Sequence, residues 1–92
     1  MEYKIVFSKN AEEDLDAIKQ YICCDNFKAA QEVVRHIFEC IEQLSDNPSI
    51  GRAGRVLRTR ELIISKYPYI VPYQVRESTI YILRVLHTSR KW

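Results

Sequence analysis

Nowhere is this sequence apolar for the roughly 18 consecutive residues that a membrane-crossing helix needs, so no membrane span is expected. The opening MEYKIVFSKNAEEDL turns acidic before any long apolar core develops, which argues against a secretory leader. Cysteine is scarce and odd in number: Cys23, Cys24 and Cys40 have no scaffold spacing, which predicts reduced thiols in a cytoplasmic protein. His36 and Cys40 lie four apart on a predicted helix, but no second ligand pair has a matching spacing, so neither a structural metal nor a cofactor is expected. The phosphate-cradling G-x-G-x-x-G and Walker A motifs are missing, as are the zinc-protease H-E-x-x-H and the hydrolase G-x-S-x-G. Acids are almost missing from the second half, where only Glu61 and Glu77 occur, so a carboxylate-held magnesium is not expected there. A nuclease built on this chain would have to work without metal, with Arg and Lys holding the phosphate and His or Tyr moving the proton. Repeats and low-complexity segments are absent.

What is present is the material of one domain over residues 1–92, long enough for a single modest core. Apolar residues make up 47% and charged residues 28%, the balance of an ordinary globular protein. The net charge of +2 hides a division. Residues 1–47 carry five Lys/Arg against ten Asp/Glu, or −5, while residues 48–92 carry nine against two, or +7. An acidic or polyanionic partner for the second half follows from that asymmetry.

The pattern along the chain predicts an α+β fold. EYKIVFS reads as a short strand. Asn10, with Glu13 three residues on, reads as the cap of a helix over 10–23, with Ala11, Leu15, Ile18 and Ile22 on one face. Its first turns are crowded with Glu12, Glu13, Asp14 and Asp16, where the helix dipole favours acids. Asp25 or Asn26 then caps a second helix whose apolar stripe runs Ala30, Val34, Ile37, Ile41, Leu44 and which ends before Pro48. So short a connection folds the two into an antiparallel hairpin. Beyond Pro48 the stretches VLRTRELII, YIVPYQV and TIYILRVLH are rich in β-branched and aromatic residues and predict an antiparallel meander. The last, residues 79–87, is almost continuously apolar and is expected inside the sheet, with the first strand beside it. Pro72 donates no hydrogen bond, so a local irregularity is expected there.

GRAGRVLRTREL, residues 51–62, concentrates four arginines: Arg52, Arg55, Arg58 and Arg60. A solvated strand face explains such a run as readily as a binding surface does, but Lys66, Arg76, Arg84, Arg90 and Lys91 extend it with almost no compensating acid. Arg84 interrupts an apolar strand. An unpaired buried charge costs several kcal/mol, so Arg84 must reach solvent, a partner, Glu61 or Glu77, and a solvent-facing position is expected. His87 at the end of that strand is either structural or a general acid or base. Tyr67, Tyr69, Tyr73 and Tyr81 read as core or cross-strand residues. A terminal aromatic such as Trp92 is poorly tied down unless it docks on the domain or on a partner.

In its strand–helix–helix–three-strand order, and in the stretches NPSIGRAGRVLRTREL, YPYIVPYQV and IYILRVLHTSRKW, nearly the whole chain resembles the RelE/ParE superfamily of bacterial type II toxin–antitoxin modules. The resemblance implies an N-terminal strand and an antiparallel two-helix hairpin packed on a small, mainly antiparallel four-stranded twisted sheet. It also implies a cytoplasmic, growth-inhibiting toxin, neutralised by a cognate antitoxin with an acidic, partly disordered toxin-binding segment. RelE-like members cut mRNA in the ribosome, with basic residues at the scissile phosphate and the RNA 2′-OH as nucleophile. On that reading Arg60, Arg84, His87 and Arg90 are the catalytic set. ParE-like members poison DNA gyrase and have no nuclease site. On that reading Arg52, Arg55, Arg58, Arg60, Lys66, Arg90, Lys91 and Trp92 form a functional basic surface. Ile70 stands where RelE-like nucleases commonly have an arginine, and Trp92 where they often have a tyrosine, so the ParE-like reading is favoured. A third possibility under the same resemblance is an inactive module that only binds antitoxin.

Overall fold

The computed structural model describes residues 2–24 and 26–88, the side chain of Cys23 excepted. In chain order these form β1 (Lys4–Phe7), α1 (Lys9–Cys23), α2 (Phe27–Glu42), a 3-10 turn (Gln43–Ser45), β2 (Arg52–Ala53), β3 (Arg60–Ile64), β4 (Tyr69–Arg76), β5 (Thr79–Ile82) and β6 (Leu86–His87). Helices and sheet form two layers, as the α+β pattern predicts. Among the described residues the sheet has six strands in the order β1-β5-β4-β3-β2, with β6 pairing β4 beyond the end of β5. Six replace the expected four for two reasons: the arginine-rich stretch contributes a two-residue strand of its own, and the last strand breaks in two. β1 runs parallel to β5 and every other pairing is antiparallel.

The caps explain where the helices begin. α1 starts one residue before expectation because Ser8, not Asn10, is its cap: Ser8 Oγ accepts from Ala11 N at 3.0 Å. That same hydroxyl donates to the carbonyl of Leu83 at 2.8 Å, so the cap also ties α1 to the sheet. Asn26 caps α2, accepting from Ala29 N at 3.1 Å. α1 buries Ala11 and Leu15, and α2 buries Ala30, Val33, Ile37 and Ile41, with Leu44 just beyond it. Val33 takes the buried place expected of Val34, which is only half-buried. Against them pack Leu62, Ile64, Val71, Tyr73, Ile80 and Ile82 from alternate positions of β3, β4 and β5.

The irregularity expected at Pro72 lies opposite it. The Pro72 carbonyl accepts from two consecutive amides, Leu83 N at 2.9 Å and Arg84 N at 3.5 Å. Two residues therefore face one, the arrangement of a β-bulge, and residues 83–85 leave the ladder before β6 rejoins it at Tyr69 and Ile70. VLRTRELII is likewise only partly strand. Residues 56–59 form a turn, because Arg58 adopts the left-handed backbone conformation, φ 66°.

Tyr73 is fully buried at the centre of the core. Its hydroxyl donates to the Pro48 carbonyl at 2.8 Å and accepts from Gly51 N at 2.9 Å, which fixes the loop between the helices and β2. A Cβ on Gly51 would lie 2.5 Å from that hydroxyl oxygen, so only glycine lets the loop approach. Burial pushes the Tyr73 phenol above its ordinary value, while the Gly51 amide and the Arg60 charge pull it down.

Two measurements check this account. Ile37→Ala and Ile41→Ala are each expected to lower unfolding free energy by roughly 2–5 kcal/mol in denaturant titration. A raised folded-state phenol keeps its stabilising contribution below the unfolded value near ~10 and loses it as pH rises through the folded value. Unfolding free energy should therefore fall above about pH 10, and this component of the fall should vanish in Tyr73→Phe. At neutral pH that variant should cost about 1–3 kcal/mol, because it leaves the buried Gly51 amide without an acceptor.

Candidate functional site

The structure divides the basic residues of the second half between two ends of the sheet. Arg52 and Arg60 belong to the β2–β3 hairpin, in which Ala53 faces Arg60 and Arg52 faces Glu61. Arg55 and Arg58 lie in the loop that joins those strands, and both are exposed. Lys66 occupies the β3–β4 turn at the other end of β3, its Nζ 5.5 Å from the centre of the Tyr67 ring. His87 shares that end, opposite Tyr69, with the two rings edge to face at 5.6 Å. Arg90, Lys91 and Trp92 lie outside the described residues.

Several of these cations already have work inside the fold. Arg52 donates through Nε and Nη2 to Glu61 Oε1 at 3.1 and 3.0 Å, and Glu61 is only 1% exposed. A buried carboxylate without a partner is costly, so Arg52 is first a structural counter-ion. Arg60 Nη1 donates to the carbonyls of Gly51 and Ser49 at 2.8 and 3.3 Å, closing the same loop that Tyr73 holds.

Arg84 corrects the expectation of a solvent-facing guanidinium. It makes a two-pronged pair with Asp14 of α1, Nε to Oδ2 at 2.7 Å and Nη2 to Oδ1 at 3.0 Å. Asp14 Oδ2 also accepts from Val85 N at 3.0 Å. The hydrogen bonds that Arg84 donates to Asp14 raise its pKa further above the ordinary value, against a smaller opposing effect of burial, so the charge is permanent. Neither Glu61 nor Glu77 is its partner. In the sequence Asp14 is one of four acids in the first turns of a helix, and nothing there marks it as the one that reaches the sheet.

Beside this clasp is a groove of about 460 Å³ between α1 and the β4–β6 end of the sheet, lined by Ile18, Tyr21, Tyr69, Val85, Leu86 and His87 among others. Arg60 does not reach this groove. It faces Tyr73 on one side of β4, while His87 faces Tyr69 on the other. Four residues of β4 separate the two positions, about 13 Å of strand rise.

Comparisons with known proteins identify the family and the fold. Residues 5–92 match the family model described as ParE toxin of type II toxin–antitoxin system, parDE. The chain belongs to the ParE toxin family. A protein of Sinorhizobium fredii named "Putative toxin Y4kP" is 40% identical over 78 residues, covering 85% of this chain and 80% of that protein. Among solved structures, a chain of the chromosomal ParDE toxin–antitoxin system of P. aeruginosa superposes with a TM-score of 0.83 at 28% identity, covering 92% of this chain and 95% of that one. A chain of the RelBE2 toxin–antitoxin complex of Mycobacterium tuberculosis superposes with a TM-score of 0.65 at 25% identity, covering 95% and 99%. This ParE-family chain is thus a toxin of a type II toxin–antitoxin system with the fold common to RelE and ParE toxins. Among the described residues no helix is long and apolar enough to cross a membrane.

Removing the acceptor of the clasp tests its structural weight. Asp14→Ala is expected to cost about 1.5–3 kcal/mol in chemical denaturation, because it strands the guanidinium and the Val85 amide together. Asp14→Asn should recover only part of the loss, since the amide keeps one acceptor oxygen but no charge.

Proposed function

We propose that this ParE-family toxin acts as a binding poison of DNA gyrase, without cutting RNA itself. The observation that carries the reading is the state of the residues a ribonuclease would have to gather at one phosphate. Arg84 is clasped by Asp14, Arg60 is bound to loop carbonyls, and His87 lies about 13 Å further along the sheet, on the other side of β4. Phosphate-directed catalysis needs its donors aimed together at the developing charge before the reaction starts. The likeness to a chain of a ParDE toxin–antitoxin system supports the same reading.

A binding poison needs no chemistry of its own. Gyrase passes through a state in which its DNA is cleaved, and a ligand that prefers this state raises its population by the difference in affinity. The surface for that contact is the arginine run of the β2–β3 hairpin, Arg52, Arg55, Arg58 and Arg60, with Lys66 at the far end of β3 and Arg90, Lys91 and Trp92, outside the described residues, as further candidates. An antitoxin whose toxin-binding segment is acidic and partly disordered neutralises the toxin by folding against this charge.

Purified toxin should inhibit ATP-dependent supercoiling by gyrase and accumulate double-strand breaks in the plasmid. If folded protein at saturating concentration leaves both supercoiling and cleavage unchanged, the reading is wrong. The ribosome is then the next target to assay, a reading favoured by the fold shared with a chain of the RelBE2 toxin–antitoxin complex and by the exposed His87 beside the groove. Full mRNA cleavage by His87→Ala would in turn remove that residue from the mechanism. Harmless expression of folded toxin without antitoxin would leave an inactive antitoxin-binding module.

A further inference from the structure

The β2–β3 hairpin ends in a loop that holds itself rigid and yet leaves its most apolar residue in water. Gly54 N donates to the Thr59 carbonyl at 2.8 Å, closing the neck. Inside it Thr59 N and Thr59 Oγ1 both donate to the Val56 carbonyl, at 3.2 and 2.6 Å. Thr59 is buried, and a Cβ on Gly54 would collide with its side chain, so the two walls of the neck touch. At the tip Leu57 is 85% exposed and Val56 46%.

A single exposed leucine requires no explanation. The neighbours of this one do. Arg58 stands at the left-handed position of the turn, φ 66°, which glycine would occupy without strain. Backbone strain at a non-glycine residue persists where the side chain has a use. That use lies outside the described fold. Arg52 and Arg60 are bound to Glu61 and to loop carbonyls, whereas among the described residues neither Arg55 nor Arg58 makes a hydrogen bond or ion pair. The tip thus presents an apolar knob between two uncommitted guanidinium groups, on the half of the chain that carries +7.

We propose that the turn Val56–Thr59 is an anchor for the antitoxin: Leu57 fills an apolar cleft in the antitoxin's toxin-binding segment, and Arg55 and Arg58 pair with carboxylates at the rim of that cleft. The assignment rests on the reading of an acidic antitoxin segment given above. Charge complementarity selects this occupant. Two free guanidinium groups suit a few carboxylates around an apolar contact, whereas a nucleic-acid backbone would call for a longer row of uncommitted cations than the tip offers. Apolar burial at the centre supplies affinity, while the rim charges set register and speed encounter.

The test is a titration of purified full-length toxin with the protein encoded by the adjoining gene of the module, at two salt concentrations, alongside thermal unfolding of each variant. Leu57→Ala should weaken binding by about 10- to 100-fold without lowering the melting temperature, since the removed atoms touch solvent in the free toxin. Arg58→Gly should raise the melting temperature by a few degrees, because strain is relieved, and still weaken binding. Arg55→Ala should flatten the salt dependence. Affinities within about twofold of the unmodified toxin for both Leu57→Ala and Arg58→Gly would overturn the proposal. So would variants that keep antitoxin affinity but lose gyrase poisoning, since the turn would then belong to the target contact. If the unmodified toxin itself fails to bind, the antitoxin reading falls and the anchor with it.

Discussion

Asp14 is the residue through which the two layers are fastened where the sheet is weakest. At Leu83–Val85 the ladder is broken, and although the Pro72 carbonyl takes the Leu83 and Arg84 amides, the Val85 amide and the Arg84 charge would otherwise face a helix with nothing to offer them. One carboxylate meets the Arg84 guanidinium and the Val85 amide, and the Ser8 cap meets the Leu83 carbonyl. Buried polar groups are tolerable only when every member of the cluster is satisfied. With that condition met, β6 can be set against Tyr69 and Ile70, away from the direct line of β5, and the groove beside α1 exists at all.

The architecture was legible in the sequence because it rests on periodicity. The α2 stripe and the β-branched, aromatic stretches beyond Pro48 are each several residues long, and they led to the second helix and to the antiparallel strands β3, β4 and β5. Exceptions came from single side-chain contacts. Ser8 outcompetes Asn10 as the cap because its hydroxyl has a second acceptor across the interface, the Leu83 carbonyl. Val33 displaces Val34 by one position of helix rotation. The split of the last strand was half-visible: Pro72 announced an irregularity, but on which strand it would fall depends on pairing, which no local pattern encodes.

For the candidate site the sequence named the right residue types but not their commitments. Four arginines within nine residues read as one basic surface. In the fold Arg52 neutralises Glu61 and Arg60 closes the helix–sheet loop, while Arg55 and Arg58 have no such duty. Charge counting is blind to this division, because an arginine that satisfies a buried carboxylate and one that awaits a partner look the same in a string of letters. Arg84 is the sharper case. The cost of burying it was foreseen, and the partner that meets the cost comes from the opposite end of the chain, 70 residues away.

The parallel pairing of β1 with β5 has a consequence for how the toxin comes into being. During synthesis β1 waits for β5, and the Asp14 clasp waits for Arg84 just beyond it. A nascent chain halted before Thr79 holds a helical hairpin and a partial meander, but neither the neighbour of its first strand nor the fastening of its first helix. The fold is therefore fastened only once residues 79–85 are in place.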